Sequence, residues 1–412
     1  MEQSQNTDSA LMATNGLLYR MPQPLSVCSH RTFKKEYAQR QSYFQGDTMV
    51  FDINSGSSYI DPSSCMLSFK VNVAATVGGD VEDEWNFGSG LATNLIKEIR
   101  VLSKNGCEVD RTQNANVLAK ILKDYTYDSD GRRMLSNAGY DREYSVDASY
   151  KMVIPLSLLS GFFRPVVKGM KIPAGLCSGL RIEFIMETAR RSLTYTGAGN
   201  SVRYSIADPE MLFMCMDLND PTQAALMKNS AETGLEYTFP SYFSTPLTTT
   251  ANKINEQVKK AVAQCTRAFA TVFHTATVED EKKDGFGSIS HSDYAFKNFQ
   301  FRVGSEYYPK KTVDDSVESY YITAACFNKN TDQQEFPNGL RLVDYINEGS
   351  FVMGVPIETD SRLNLSGIPL NNSNVLELRA EIESGGEQLD YVIFMEHITV
   401  ARTFINKTDI KI

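Results

Sequence analysis

Four histidines, seven cysteines and two short acidic clusters are the residues of this 412-residue chain whose types suit metal binding, proton transfer or nucleophilic attack. His30, His274, His291 and His397 never fall as HxH or HxxxH, the spacings that put two imidazoles on one face of a strand or helix. His397 lies inside an apolar run and reads as a structural residue. Cys28, Cys65, Cys107, Cys177, Cys215, Cys265 and Cys326 are scattered, odd in number and without a CxxC pair. They read as reduced thiols of a protein made in the cytoplasm or nucleus. Asp128-Ser129-Asp130-Gly131 opens like a calcium loop, but the later oxygen ligands and the bidentate Glu at the twelfth position are missing. The better reading is a solvated turn. Gly88-Ser89-Gly90 lacks the rest of a phosphate fingerprint, and no GxSxG, HExxH, P-loop or GxGxxG pattern occurs in the strand–helix context it needs. The expected catalytic, cofactor and metal sets are empty, and the chain is expected not to be an enzyme.

Two clusters keep a binding role open. Glu82, Asp83 and Glu84 precede Trp85, the only tryptophan; acidic groups beside an aromatic ring suit a sugar, whereas paired catalytic carboxylates would need a set separation across a cleft. The stretch from Arg20 to Arg40 carries Arg20, Arg31, Lys34, Lys35 and Arg40 against Glu36, a basic island in a chain of net charge −9. It reads either as an inner-face contact arm reaching an acidic partner, a membrane or the genome, or as a strand and loop packed beside its own domain. Phe33 and Tyr37 interleave with the charges and suit both. The overall acidity argues against a chain whose main work is wrapping nucleic acid. No run approaches the roughly 18 apolar residues of a membrane span, and the first ten residues show no leader pattern.

The elements that would position these groups are mostly strands. Leu67, Phe69, Val71 and Val73 alternate with polar residues, as do Leu180, Ile182, Phe184 and Met186, then Phe299, Phe301 and Val303, then Leu376, Leu378, Ala380 and Ile382. A period of two sets one face on a core and the other outward. Asn105-Gly106 is a two-residue hairpin signal. Helical spacing is confined to short stretches, chiefly from Asn116 and from Asp314 to Phe327, with shorter ones over Thr222 to Ala231 and Leu340 to Asn347. The segment Ile254 to Val262 fits either a helix or a strand.

The elements recur in order. The strand at 67–73 has a counterpart starting near Cys265, and the helix at Asn116 one starting at Asp314, both 198 residues on; the strand at Leu180 has one at Asn374, 194 residues on. Residue identities are not repeated. The pattern predicts a mainly β chain of two tandem jelly-roll β-sandwiches with a few short helices in loops. The expected division is an N-terminal arm over 1–40, a first jelly roll over 41–219, a connector over 220–235 and a second jelly roll over 236–412.

Particular residues resemble a family. The run from Phe299 to Pro309, followed by Asp314 to Phe327, is similar to the second-domain signature of double jelly-roll major capsid proteins, most like those of Polinton-like viruses and adintoviruses. Within it Arg302, Gly304, Tyr308 and Pro309 form a basic–apolar–Gly–Ser turn leading to Tyr-Pro. Ser57 to Pro62 with Met66 to Phe69 resembles the start of the first barrel, and Ser366 to Leu370 with Ala401 to Phe404 resembles the family's C-terminus.

The resemblance implies a homotrimer of pseudo-hexagonal outline that tiles an icosahedral DNA-virus shell, with neighbouring capsomers, penton and minor capsid proteins as partners. No small-molecule substrate is implied. The location implied is the virion, after synthesis in the host cytoplasm and assembly in the cytoplasm or nucleus. Gly304 is expected to allow a tight bend and Pro309 to end ladder pairing. The alternatives are a carbohydrate-binding or carbohydrate-active jelly roll, motivated by Glu82 to Trp85, and a minor or vertex capsid protein, which the internal repeat disfavours.

Overall fold

The computed structural model describes most of residues 28–411; outside the described residues lie 1–27, 76–83, 196–201, most of 220–233, 275–294, 328–339, 359–366, 405–407 and a few single positions. Sixteen strands make two sandwiches and are numbered in chain order. The first sandwich holds β1 (Cys28–Tyr37), β2 (Thr48–Asn54), β3 (Tyr59–Ala75), β4 (Ile96–Leu102), β5 (Glu108–Gln113), β6 (Ser149–Pro155), β7 (Ser178–Met186) and β8 (Val202–Leu218). The second holds β9 (Leu235–Thr249), β10 (Lys253–Val258), β11 (Val262–His274), β12 (Ala295–Val303), β13 (Glu306–Val313), β14 (Val352–Pro356), β15 (Leu376–Glu383) and β16 (Leu389–Thr403).

Pairing is antiparallel throughout, and it repeats. The first sandwich has sheets ordered β1-β8-β3-β6 and β2-β7-β4-β5; the second has β9-β16-β11-β14 and β10-β15-β12-β13. Every strand of the second therefore sits where the strand eight earlier sits in the first. Helix α1 (Ala115–Thr126) follows β5, and helix α2 (Ser316–Phe327) follows β13, so the helices are equivalent as well. All three sequence offsets join equivalent elements: β3 with β11, α1 with α2, and β7 with β15. Short extra strands flank this frame; Ser42–Phe44 pairs with β8, Ile368–Leu370 with β11 and Thr408–Lys411 with β16.

Alternation places the cores. Leu67, Phe69, Val71 and Val73 of β3 and Leu180, Ile182, Phe184 and Met186 of β7 are all buried, and Phe51 meets Phe184 edge-on at 5.8 Å between ring centroids. The second core repeats the scheme with Phe269 stacked on Phe394 at 5.3 Å. Inward aromatic rings remove large apolar areas from water, the dominant favourable term for sandwiches of this kind. The hairpin at Asn105-Gly106 joins β4 to β5: Gly106 adopts φ +75°, and its N–H donates to Ser103 O at 2.8 Å. The ambiguous Ile254 stretch is strand β10, whose Ile254 and Val258 are buried by pairing with β15. Of the two shorter helical stretches, the later one is a helix over Leu342–Asn347; in the 222–231 stretch the described positions Thr222, Leu226 and Lys228 are helical, and the rest of it, with most of the connector, lies outside the described residues.

Two expectations need correction. Residues 28–37, assigned to the arm, are β1, the first strand of the first sandwich, paired with β8 from Cys28↔Leu218 to Tyr37↔Glu210. The first sandwich therefore begins well before the expected boundary at residue 41, because β1 carries charges where the other strands carry core residues. Pro309 does not end ladder pairing. It starts a bulge inside β13: Phe301 pairs with Tyr308 and Phe299 with Val313, so pairing resumes beyond it. Gln300 Nε2 donates to Pro309 O at 2.9 Å and Lys310 O at 3.3 Å, which satisfies carbonyls the missing ladder would otherwise strand.

Candidate assembly surfaces and the seam between the sandwiches

The seam is where the two sandwiches meet. On the first side it is built from β5, helix α1 and the short turn at Gly161–Phe163; on the second side from β9, the end of α2 and the segment at Gly349–Phe351. Asp110 of β5 is buried at its centre and accepts hydrogen bonds from Ser160 Oγ of its own sandwich and from Ser241 Oγ of β9. Burial pushes its carboxyl above the usual range, opposed by these donors. Asn114 Nδ2 donates to Ser244 Oγ at 3.0 Å, Tyr237 OH to Phe162 O at 2.6 Å and Lys120 Nζ to Gly349 O at 2.9 Å.

Apolar contacts run through the same seam. Phe162 meets Tyr237 and Phe239 with centroids 5.4 Å and 5.3 Å apart, and Tyr125 of α1 stacks on Phe327 of α2 at 4.9 Å. A Cβ on Gly161 would lie 1.6 Å from Pro240 O, so the two backbones touch where only glycine fits. Behind β9, the Glu396 carboxylate accepts from Tyr242 OH at 2.7 Å, Thr266 Oγ1 at 2.8 Å and Arg267 Nε at 2.7 Å. Arg164 of the first sandwich donates to the same Tyr242 hydroxyl. A buried charge pair needs such complete bonding to be tolerated. A buried seam with this many polar partners and interlocked rings makes the two sandwiches one stiff body.

A cavity of about 140 Å³ lies at the seam, bordered by Asp110, Ser241, Ser244, Lys260, His397 and Thr399. It is well short of the ~300 Å³ at the low end for small-molecule pockets. His397 faces it fully buried, and burial, with Lys260 nearby, lowers its pKa to about 4. The imidazole is therefore neutral at pH 7, as the sequence reading of a structural histidine requires.

Six of the nine exposed large apolar side chains among the described residues fall on two stretches of the chain; Met66, Met134 and Val167 lie elsewhere. Phe33 and Tyr37 of β1 are 56% and 68% exposed, with Phe44 close by in sequence at 59%. Val317 and Tyr321 of α2 are 41% and 50% exposed, with Val343 on the short helix after it at 56%.

Comparison with known proteins adds the fold's relatives. No family model and no curated protein matches the chain. Among solved structures, the PBCV-1 virus capsid in a quasi-atomic model superposes with a TM-score of 0.62 at 11% identity, covering 95% of this chain and 98% of that one. The Faustovirus major capsid protein gives 0.61 at 8% identity, covering 96% of each chain. The mavirus major capsid protein gives 0.54 at 10% identity, covering 96% and 93%. This chain is a double jelly roll. Identities this low leave the match to the fold alone, over almost the whole length of each chain.

Within the double jelly roll the sequence-derived residues fall as follows. Arg20 lies outside the described residues. Arg31, Lys34 and Lys35 sit on β1, and Arg40 follows it, so these four do not form a free arm; Lys35 pairs with Glu210 at 3.3 Å and Arg40 with Asp47 at 3.2 Å in the same jelly roll. Their charges suppressed the alternation that would have revealed a strand. Arg302, Gly304, Tyr308 and Pro309 do cluster at the β12–β13 turn: Arg302 Nε donates to Gly304 O at 2.7 Å, and Gly304 has φ +59°. Arg302 also lies 3.7 Å from Glu377 on β15.

Trp85 overturns the sugar-binding motif. It is fully buried, stacked on Tyr144 at 4.7 Å, with its indole N–H donating to Ser145 O at 3.2 Å. Glu82 and Asp83 lie outside the described residues. No ring face is left for a sugar. Asp128 is no calcium ligand either; it caps the helix Ser129–Met134, its carboxylate accepting from Gly131 N at 2.6 Å. Among the described residues, no group of three or more His, Cys, Asp or Glu side chains could hold a metal ion. The seven cysteines form no disulfide, and five of them are buried. Asp110, Phe162 and Gly161 escaped the sequence reading. The partners of Asp110 lie 50 and 131 residues away, and no local pattern encodes such contacts.

Proposed function

We propose that the chain is a major capsid protein whose homotrimers form pseudo-hexagonal capsomers tiling an icosahedral virus shell. The observation that carries this is the duplication itself: two topologically equivalent jelly rolls held as one stiff body by a buried seam. Three such bodies supply six equivalent upright sandwiches under closed threefold symmetry. The likeness to capsid structures across nearly the whole chain supports the reading. The motif at Arg302 to Pro309 supports a place near the capsid proteins of Polinton-like viruses and adintoviruses. On this reading the protein works in the virion as a non-enzymatic shell component, after synthesis in the host cytoplasm. It meets neighbouring capsomers and, at vertices and facet edges, penton and minor capsid proteins.

The test is the mass and shape of the purified protein. Light scattering should give three times the 46.0 kDa chain mass, and negative-stain images should show six-cornered particles. A monomer at all concentrations and pH values, with no assembly into particles, overturns the proposal.

A further inference from the structure

We infer that the cavity at the seam binds a small oxyanion of phosphate size, held by donors from both jelly rolls. Strand register decides which way the polar side chains point. Ser241 of β9 pairs with His397 of β16, and Phe239 with Thr399; residues directly opposite each other in an antiparallel pair share a face. Ser241 reaches across the seam to Asp110, and Phe239 meets Phe162 there. His397 and Thr399 therefore face β5 as well, while Tyr242 and Glu396 bond to each other on the opposite face.

His397 and Thr399 are 4% and 2% exposed, and both border the cavity. Among the described residues, neither His397 Nδ1 nor Thr399 Oγ1 has a hydrogen-bond partner. Burying such groups is costly unless something bound satisfies them.

Charge selects what that is. Lys260, half-buried on the second side, has its Nζ 5.7 Å from the Phe243 ring centroid, and among the described residues no carboxylate lies within ion-pair distance of it. On the first side Arg111 and Gln113 border the cavity. Arg111 uses its Nε on Glu98 at 2.8 Å, which leaves its terminal nitrogens as donors. The one buried carboxylate is already spent, since Asp110 accepts from Ser160 Oγ, Ser241 Oγ and the backbone N–H groups of Phe162 and Arg111. Glu108 borders the cavity from an exposed position. The unspent groups are thus donors and cations, the chemistry that charge-assisted bonds to an oxyanion require. Water would satisfy the hydroxyl and the imidazole but leave Lys260 without a counter-charge.

Size agrees. A cavity of about 140 Å³ matches four to five water molecules at roughly 30 Å³ each, room for one tetrahedral ion of five heavy atoms. Bound there, the oxyanion ties Arg111 and Gln113 of the first jelly roll to Lys260, His397 and Thr399 of the second. A ligand that binds the folded body and not the unfolded chain stabilises it progressively as its concentration rises.

Thermal melting in sodium phosphate, against sodium chloride at the same pH and ionic strength, tests the inference. The wild-type midpoint should rise with phosphate and follow a single binding curve, and calorimetric titration should give one phosphate per chain. Lys260→Met should raise the half-saturating phosphate concentration at least about 10-fold, because a charge-assisted bond is lost. Thr399→Val keeps the shape of the side chain and should raise it about 3-fold or more; it serves as well if Lys260→Met does not fold. Lys259→Met is the control, since Lys259 is exposed on the same turn and does not border the cavity; its phosphate response should match the wild type.

Equal melting of the wild type in phosphate and chloride would overturn the inference and leave the cavity to water. An unchanged phosphate response in Lys260→Met and Thr399→Val would overturn it too, placing the ion elsewhere. So would a loss in Lys259→Met as large as in Lys260→Met, which would mark a diffuse effect of surface charge.

Discussion

Truncating Phe162 to Ala probes the seam on which the rigid two-sandwich body depends. The ring is fully buried in the turn Gly161–Phe163, and two of its three aromatic neighbours, Tyr237 and Phe239, belong to the other jelly roll. Removing a buried Phe costs about 3–5 kcal/mol through lost transfer energy and the cavity left behind. The two edge-on pairs across the seam fall within that figure at about 0.5–1.5 kcal/mol each. The Tyr237 bond to the Phe162 carbonyl survives, since it uses the backbone.

Because the lost contacts lie between jelly rolls, the cost falls on their docking rather than on either core. Urea unfolding followed by tryptophan fluorescence, which reports the first jelly roll through Trp85, and by far-UV circular dichroism, which reports both, should coincide for the wild type and separate for Phe162→Ala. Phe51→Ala is the control: Phe51 is equally buried, but its partner Phe184 is in the same jelly roll, so it should lower stability by a similar amount with less separation of the two probes. Proteolysis within 220–233 should also accelerate in Phe162→Ala. A loss under about 1 kcal/mol, with coincident transitions and unchanged cleavage, would refute the claim that this seam holds the body together.

Four further outcomes follow from named contacts. Trp85→Ala should cost about 3–5 kcal/mol by emptying a stacked core site, and a glycan array should show no binding for wild type or variant. Glu396→Gln should destabilise by about 3–5 kcal/mol in thermal or urea unfolding, because it leaves the Arg267 guanidinium buried without its counter-charge. His397, with a folded pKa of about 4 against an ordinary value of 6.5, takes up its proton in the unfolded chain first. Its neutral burial costs nothing above pH 6.5 and increasingly more as pH falls toward 4, reaching about 3 kcal/mol; unfolding of His397→Leu between pH 4 and 6.5 should lack that slope. Gly304→Ala should cost about 1–2 kcal/mol in melting experiments for a side chain at positive φ, since the Asn374 side chain, 2.6 Å from the added Cβ, can turn aside.

Strand alternation at 67–73, 180–186, 299–303 and 376–382 marked real strands with the expected faces inward, because a half-buried strand must show period two in its own residues. The repeat in order was legible for the same reason: equivalent elements carry equivalent local signals even when identities differ. Strand β1 was legible only as a basic stretch. Its Phe33 and Tyr37 are exposed and stand among charges rather than in an apolar stripe. The acid–aromatic run at Trp85 misled in the opposite sense. Residue type states what a ring can bind, while only the pairing of Glu84–Asn86 with Tyr144–Ser145 decides that the ring is sealed inside.

By itself, then, the order of residues determined the strands, the two matching halves and the absence of recognised catalytic spacing, all of which depend on neighbours within a few positions. Tertiary structure decided the rest: that Asp110 meets Ser241, that Gly161 lies against Pro240, and that one helix of an equivalent pair is buried along almost its whole length while the other keeps Val317 exposed. Those contacts join segments far apart along the chain, and their free energy comes from packing and desolvation, which exist only once both sandwiches have formed.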